Sequence, residues 1–366
     1  MLYEIDFLPV GEGERSGDAI CLRYSEDNGK TWYIGVIDGG TQESGEKICE
    51  HIDRYYKTEE IDFLVCSHPD QDHASGLFVV LKNLKTNKVL MRCPWDYVDY
   101  IFDYVHDGRV TKDSLRKRLI EGLPYAYKVY ELAKQKGIPI YHAFSDYNDH
   151  NVPYLTVVGP SFNFYLRQLI NFRSITEVTE EIRESALEAL LKGVKKTIKW
   201  ISETWDKETL VDPEDDATSS ENNSSTILHF DFGGKHILFT ADAGVPALNE
   251  ACDFMKNNGI LLQNFSMFQV PHHGSKRNIG PTILDRLIGG KLPENSQSKF
   301  SVIISAAKDG DPKHPNKRVV NALIRRGAKI VATQGAIICY HSSGTPDRGW
   351  EKAEPLPFYD QVEEEE

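Results

Sequence analysis

Short apolar runs separated by polar turns recur along the chain, and their lengths predict strands with helices between them. The runs typical of strands lie at 2–10, 19–24, 32–37, 61–66, 89–92, 138–142, 154–158, 226–230, 235–240, 267–270, 301–305 and 329–332. The segments predicted to be helical lie at 44–56, 74–84, 95–136, 164–205, 246–257, 315–326 and 336–340. This order of elements predicts the α/β fold class.

The second half of the chain repeats the form of the first half: strands, then a polar cluster at a strand end, then a helix. Each half can therefore build a sheet with helices on one face. Two such sheets bury the most apolar surface when their bare faces meet. We expect two sheets packed face to face, with the helices outside.

The densest polar cluster follows the apolar run at 61–66 and precedes a predicted helix. His68, Asp70, Asp72 and His73 place two imidazoles and two carboxylates within six residues. Four such donors at the end of a buried strand are costly to desolvate, and a bound cation is the usual compensation. The pattern indicates a metal site; a polar loop with scattered charges is the alternative.

Other polar residues also follow predicted strands, which is where open sheets place their sites. They are Asp38, Asp242, the pair His272 and His273, and His314. Each has a structural alternative. Asp38 can shape a turn, Asp242 can cap a helix, the histidine pair can pack at the surface, and His314 can serve a loop. Together with the central cluster they favour a metal centre.

Composition limits the class of protein. The 366 residues carry a net charge of −13, which disfavours a general nucleic-acid-binding face. The six cysteines lack the close spacing of a zinc knuckle, so we expect buried thiols in a reducing compartment. No apolar run approaches the roughly 20 residues that cross a bilayer. With no signal-peptide pattern at the start, we expect a cytoplasmic protein with no membrane segment.

The polar motifs occur in the order found in the metallo-β-lactamase superfamily, which the chain resembles. Within it, the chain most resembles the soluble domain of bacterial competence DNA-uptake channels. The matching segments are Gly17-Asp18-Ala19-Ile20, Ile37-Asp38-Gly39-Gly40, Ser67-His68-Pro69-Asp70-Gln71-Asp72-His73-Ala74-Ser75-Gly76, Asn222-Asn223-Ser224-Ser225, Thr240-Ala241-Asp242, His272-His273-Gly274-Ser275 and His314-Pro315.

The resemblance implies a four-layer αβ/βα sandwich with two divalent metal ions on one edge. It implies a first site formed by His68, Asp70 and Asp242. The second site would use Asp72, His73, Asp242 as a bridge, and one of His272 or His273. Two such ions lower the pKa of a bridging water and neutralise charge on a phosphoryl or carbonyl oxygen.

Two departures from the family pattern bear on the metal. The commonest pattern has a histidine where this chain has Asp70, and a carboxylate lets manganese compete with zinc. No histidine stands clearly at the family's third motif, since His142 and His150 are not at convincing strand ends. The segments near 95–136 and 164–205 exceed the minimal core and are interpreted as helical insertions.

The resemblance also implies roles near the metals. Asp72 would orient the attacking water, and His314 would donate a proton to the leaving oxygen. Further positions would support the ligands or bind substrate: Asp38, Asp18, Ser275 and Lys276. The cations Lys276 and Arg277, next to the His-His-Gly-Ser turn, favour a phosphate-bearing substrate over a neutral lactam.

The leading hypothesis is a metal-dependent phosphodiesterase or nuclease acting on nucleotides or nucleic acid. The alternatives are a hydrolase of another ester, such as a lactone, thioester or phosphocholine-type substrate, and an interaction module of a multi-protein system. We expect one domain over 1–345, a mobile acidic loop at 212–225 and a tail over 346–366. The helical insertions would cap the site, bind a protein partner or form a homo-oligomer.

Overall fold

The computed structural model describes residues 1–11, 16–105, 110–146, 150–175, 199–214, 216–308 and 314–364. Its strands in chain order are β1 Leu2–Phe7, β2 Ala19–Ser25, β3 Tyr33–Gly39, β4 Glu60–Ile61, β5 Phe63–Val65, β6 Lys85–Thr86, β7 Val89–Leu90, β8 Ile140–Tyr141, β9 Leu155–Gly159, β10 Trp200–Ser202, β11 Ile227–Asp231, β12 His236–Phe239, β13 Phe265–Gln269, β14 Phe300–Ile304, β15 Ala328–Ala332, β16 Ile338–His341 and β17 Gln361–Glu363.

The α-helices lie between these strands. They are α1 Gln42–His51, α2 Gln71–Asn83, α3 Val98–Ile101, α4 Lys112–Gly122, α5 Pro124–Gln135, α6 Phe162–Leu169, α7 Ser220–Asn223, α8 Val245–Asn257, α9 Pro281–Ile288 and α10 Lys317–Arg325. A π-helical turn at Ile52–Tyr56 extends α1, and 3₁₀ turns occupy Pro94–Tyr97, Phe102–Tyr104 and Pro271–Gly274. Among the described residues, no helix combines the length and the apolar character that crossing a membrane requires.

Two large sheets form the centre of the structure. The first has the order β16-β1-β2-β3-β5-β7-β8, and the second has the order β15-β14-β13-β12-β11-β9. Strands β3, β5, β7 and β8 run parallel, as do β12 to β15. Two short pairs, β4 with β6 and β10 with β17, lie outside the large sheets.

Three clusters of buried apolar side chains show how the layers pack. One cluster lies between the sheets and includes Ile5 and Leu22 from the first and Phe230 and Met267 from the second. A second joins the other face of the first sheet to α1, α2, α4 and α5. A third joins the other face of the second sheet to α8, α9 and α10. The fold is therefore the four-layer αβ/βα sandwich that the sequence predicted.

The parallel strands determine where the polar motifs lie. Parallel strands of one sheet end at the same edge. In the first sheet, Asp38 lies at the end of β3 and the His68 to His73 segment follows β5. In the second sheet, Asp242 follows β12, and the His272-His273 pair follows β13.

The structure differs from the sequence prediction at the end of the chain. The segment at 336–340 was predicted to be a helix, but it contributes the strand β16, which pairs antiparallel with β1. The prediction was wrong because the partner lies more than 300 residues away in sequence. Pairing with β1 favours an extended backbone for Ile338-Cys339-Tyr340. The segment by itself is too short for its pattern of apolar and polar residues to predict a strand.

The predicted helical and loop segments are only partly described. Helices α3, α4 and α5 occupy much of 95–136, with 106–109 outside the described residues. Most of the helix predicted at 164–205 also lies outside, at 176–198, but Trp200–Ser202 is a strand, not a helix. The predicted loop at 212–225 contains the short helix α7, whose Asn222 and Asn223 are buried.

The segment predicted as a tail contacts the rest of the protein. Strand β17 pairs with β10, and Val362 is fully buried. The carboxylate of Glu363 accepts a hydrogen bond from the backbone N–H of Lys317 at 3.2 Å, at the start of α10. The domain boundary at 345 stays a prediction, but strand β17, within the predicted tail, is held against β10 and the start of α10.

Candidate metal centre

Helix α2 is packed unusually close to the end of β3, which brings His73 into the interior. A side-chain carbon added to Gly76 would lie 1.9 Å from the carbonyl oxygen of Gly39, so the helix can approach only because residue 76 has no side chain. His73 lies in the first turn of α2 and is fully buried. Its Nδ1 lies 2.8 Å from a carboxylate oxygen of Asp38.

Asp38 orients two histidines at once. It has φ 54°, and its carboxylate accepts hydrogen bonds from the Ser67 N–H at 2.8 Å and the Ser67 hydroxyl at 2.5 Å. Because that hydroxyl gives its only proton to Asp38, it must accept from Nδ1 of His68, 3.0 Å away. Both His68 and His73 thus direct Nε2 away from Asp38, as metal-binding imidazoles do.

The second sheet supplies a third imidazole in the same orientation. His272 and His273 have φ values of 48° and 57°, in a tight turn after β13. Nδ1 of His273 donates to the carbonyl oxygen of Ser305 at 2.8 Å, so its Nε2 carries the lone pair. Of the two neighbours, His273 is buried, whereas His272 keeps about a third of its side chain exposed.

Asp242 is the residue on which the two halves of the site converge. Its carboxylate oxygens lie 3.5 Å from Nε2 of His73, 3.8 Å from Nε2 of His68 and 3.7 Å from Nδ1 of His272. In three groups of the described residues, one potential ligand atom from each side chain lies within 4.8 Å of the others: Asp18, His73 and Asp242; Asp38, His68 and His73; and Asp72, His73 and His273.

The donor set fits a cation because its buried atoms lack hydrogen bonds. Among the described residues, no hydrogen-bond partner reaches the following buried atoms: Nε2 of His68, Nε2 of His73, Nε2 of His273, Oδ1 of Asp242 and Oδ1 of Asp18. Buried polar atoms are almost always satisfied, so five unsatisfied atoms in one place need a common partner. Imidazole nitrogen and carboxylate oxygen are ligands of zinc and of manganese.

The electrostatics of the site lead to the same conclusion. Burial lowers the pKa of His68 well below its ordinary value and lowers that of His273 to about 3, so both rings are neutral, as ligands must be. Burial also opposes a charge on His73, but the carboxylates of Asp242 and Asp38 outweigh it and hold the pKa of His73 well above its ordinary value. The carboxylates thus favour a positive charge at this position, which a metal ion would supply.

Asp18 and Asp72 each lie in a close ligand group with His73. Asp18 is buried, and its Oδ2 accepts a hydrogen bond from the Gln269 side chain at 2.7 Å. Burial raises the pKa of Asp18 to about 7, and burial also raises the pKa of the half-buried Asp72. The structure therefore brings both aspartates to the centre, although the sequence assigned Asp18 only a supporting or substrate-binding position.

The carboxylate of Asp70 contacts an arginine in this structure. Its two carboxylate oxygens lie 3.3 and 3.2 Å from the guanidinium of Arg173, which also binds Glu221. Burial raises the pKa of Asp70 to about 6. Within the described residues, it belongs to none of the three close ligand groups. Its role as a ligand of the first metal stays a prediction.

The other predicted residues lie around the centre. The rings of His272 and His314 are parallel, with centroids 6.2 Å apart. Ser275 is buried and accepts a hydrogen bond from the backbone N–H of Arg277 at 3.2 Å. Lys276 is half-buried beside a cavity of about 200 Å³.

His142 and His150, the histidines nearest in sequence to the position of the family's third motif, contact residues outside the candidate metal centre. Nδ1 of His142 shares a hydrogen bond with the hydroxyl of Tyr97. Nδ1 of His150 accepts a hydrogen bond from the backbone N–H of Val152 at 3.2 Å. In the described part of the chain, neither belongs to a close ligand group that contains His73.

Two supporting residues were missed by the sequence analysis. Arg92 is buried and donates to the carbonyl oxygens of Ala143 at 2.7 Å, Ser67 at 2.6 Å and Ser224, and so ties three loops together. The only signal was a charged residue ending an apolar run. Asn222 lies 2.9 Å from Nδ1 of His272 through its amide nitrogen; its Asn-Asn-Ser-Ser segment was noted, but without a role.

The chain has similarities to solved structures and to part of one curated protein. No protein-family profile matches the chain. Two solved structures are similar: one described as hydrolase AbOPH in beta lactamase superfamily, 9% identical over 62% of this chain and 56% of that chain, with a TM-score of 0.29; and a long form RNase Z from yeast, 11% identical over 92% of this chain and 41% of that chain, with a TM-score of 0.39.

One curated protein is similar in sequence. ComE operon protein 3 of Bacillus subtilis (strain 168) is 28% identical over 124 residues, which are 34% of this chain and 14% of that protein. The chain thus matches only a small part of that relative's length. This similarity agrees with the resemblance that the sequence motifs indicated.

Proposed function

We propose that this protein is a metal-dependent hydrolase of phosphodiesters in nucleotides or nucleic acid. The observation that carries the proposal is the convergence of two buried Nε2 atoms, those of His68 and His73, on the carboxylate of Asp242. A third buried imidazole, that of His273, lies in a close ligand group with Asp72 and His73. In each of the three histidines, Nδ1 is fixed by Asp38, Ser67 or Ser305. This is how proteins prepare imidazoles for a metal.

The proposed ligands come from both sheets: His68, Asp72, His73, Asp242 and His273. Asp18 is a further candidate within the centre, and the more exposed Asp70 and His272 are further candidates around it. A divalent ion held there supplies a polarised water near neutral pH and positive charge for a phosphoryl oxygen. The buried histidines and aspartates also exclude competing solvent from the centre.

Asp72 is the proposed acceptor of a proton from the attacking water. It is half-buried, and its carboxylate lies in a close group with His73 and His273, at the side of the centre that faces solvent. His314 is the proposed donor to the leaving oxygen, because its ring stacks on that of His272 at the mouth of the site.

The charges next to the His-His-Gly-Ser turn support an anionic substrate. Among the described residues, Lys276, Arg277 and Arg318 line the cavity of about 200 Å³ together with one acidic side chain, that of Glu214. This is a local excess of positive charge in a protein whose net charge is −13. A phosphate group would be attracted to it, whereas a neutral lactone would not.

The test is metal content together with hydrolysis of bis(4-nitrophenyl) phosphate under zinc and under manganese. His73→Ala and Asp242→Asn should lose bound metal, and turnover should fall by more than about 100-fold, since even residues that only support ligands are worth roughly 10- to 100-fold. His236→Gln is the matched control: this histidine lies at the far end of β12 and should keep both properties.

The substrate class is tested by comparing single-stranded DNA, cyclic nucleotides, a lactone and a thioester with the same metal-loaded protein. Faster hydrolysis of the phosphodiesters supports the proposal. Faster hydrolysis of the lactone or thioester would replace it with the other ester-hydrolase hypothesis. A correctly folded protein that binds no divalent ion would overturn the metal centre itself.

A further inference from the structure

A second group of metal-ligating side chains lies on the helical side of the first sheet. Cys93 follows β7, Asp96 lies in the 3₁₀ turn Pro94–Tyr97, and His142 directly follows β8. Because β7 and β8 are neighbouring parallel strands, they bring Cys93 and His142 to one edge of the sheet. One potential ligand atom from each of the three side chains lies within 4.8 Å of the others.

Local contacts fix these side chains in place. The backbone N–H of Asp96 donates to the carbonyl oxygen of Cys93 at 2.9 Å, and this turn brings the carboxylate back over the thiol. His142 shares a hydrogen bond with the Tyr97 hydroxyl, and the two rings meet edge to face with centroids 5.4 Å apart. A second group that orients a histidine ring in this way is typical of metal sites.

The surroundings are closed on one side and open on the other. Cys93 is completely buried, His142 is half-buried, and Asp96 is exposed. An ion could therefore enter from solvent on the side of Asp96 and bind against the buried thiol of Cys93. A thiolate, an imidazole and a carboxylate together favour zinc over the harder ions, with water completing a tetrahedron.

We propose that Cys93, Asp96 and His142 form a second cation site, specific for zinc or a similarly thiophilic divalent ion. It shares no residue with the centre around Asp242, and it does not depend on the proposed hydrolase activity. The ion would connect the edge of the first sheet to the helices that follow. Arg116 of α4 already donates to the carbonyl oxygen of Trp95 at 3.3 Å in this turn, so the ion would reinforce an existing contact.

Cobalt can report on this site separately. The three close groups that contain His73 offer only nitrogen and oxygen. A thiolate-to-cobalt charge-transfer band in the near ultraviolet would therefore arise from a cysteine site and not from the main centre. Metal-stripped protein is titrated with Co²⁺ while absorption and the number of bound ions are recorded.

We expect the band to appear, and Cys93→Ser to abolish it together with about one bound ion per chain, since one thiolate defines this site. His73→Ala and Asp242→Asn should keep the band while losing ions from the main centre. Cys252→Ser is the matched control, because this buried cysteine lies in α8 and belongs to no close ligand group among the described residues.

Asp96→Asn provides a variant that should fold normally, since Asp96 is exposed. We expect this variant to need a higher Co²⁺ concentration to reach half of the maximal absorption of the thiolate band. The proposal is overturned if protein that has taken up cobalt shows no thiolate band. It is equally overturned if the band survives Cys93→Ser unchanged, which would assign it to another cysteine.

Discussion

At the scale of single residues, Asp38 determines how two imidazoles face the candidate centre. It contacts Nδ1 of His73 directly and Nδ1 of His68 through the Ser67 hydroxyl. Its function is therefore to fix the rings and the proton on each Nδ1. This positioning role can be separated from ligation by experiment.

Asp38→Asn should lower metal affinity by roughly 10- to 100-fold while the fold is kept. An amide cannot accept three hydrogen bonds as a carboxylate does, so the ring of His73 would lose its fixed orientation. Competition with a chelating dye measures the affinity. Asp62→Asn is the control, because Asp62 accepts a hydrogen bond from the backbone N–H of Ile34, on the same sheet. Equal affinity in the two variants would contradict this role.

Residue types in order along the chain indicated much of this site. His68, His73, Asp242 and the pair His272-His273 could be proposed because each follows a strand and matches a recognisable motif. Which member of the pair is the more buried could not be predicted. The contact of Asp70 with Arg173 could not, since the two residues lie about 100 positions apart and nothing in either segment indicates the other. The contacts of buried Arg92 could not be predicted for the same reason, because its partners Ala143, Ser67 and Ser224 lie far from it in sequence.

At the scale of elements, the position of α2 depends on a direct backbone contact between this helix and the end of β3. Gly76 on α2 faces Gly39 at the end of β3, and a carbon at either position would collide with backbone. The sequence predicted both elements but not this contact, because a glycine in a helix has several possible explanations.

Gly76→Ala should destabilise the protein by about 1–3 kcal/mol, the usual cost of overpacking, and it should also weaken metal binding because His73 moves with the helix. Chemical denaturation and metal affinity measure the two effects. Gly290→Ala is the control, since a side-chain carbon there would meet nothing within 4 Å. Loss of stability without loss of metal affinity would show that His73 does not depend on this contact.

At the scale of the whole molecule, the last residues of the chain are tied to the first strand. Arg348, in the segment predicted as a tail, lies 2.8 Å from a carboxylate oxygen of Asp6 and 2.9 Å from one of Glu4. Asp6 also accepts a hydrogen bond from the Tyr56 hydroxyl at 2.6 Å and lies 2.9 Å from Nε2 of His51. These contacts join the segment after 345 to the core of the first sheet.

This network makes stability depend on pH in acid. Burial alone would raise the pKa of Asp6, but His51 and Arg348 outweigh it and lower the pKa from 3.8 to about 2. A depressed pKa stabilises the folded state above the unfolded-state value and loses that effect as the pH falls. We therefore expect roughly 2 kcal/mol of the free energy of unfolding to disappear between about pH 5 and pH 2.

In Asp6→Asn this part of the acid-dependent loss should be absent, although the variant is less stable at neutral pH because Arg348 and His51 remain buried with a weaker partner. Denaturation in the presence of a chelator keeps metal release from contributing to the slope. Asp253→Asn, at an exposed aspartate, should keep the pH dependence of the unmodified protein. If Asp6→Asn loses stability in acid as steeply as that control, the carboxylates that respond to acid lie elsewhere, and the contact of Arg348 with Asp6 contributes little to holding the end of the chain.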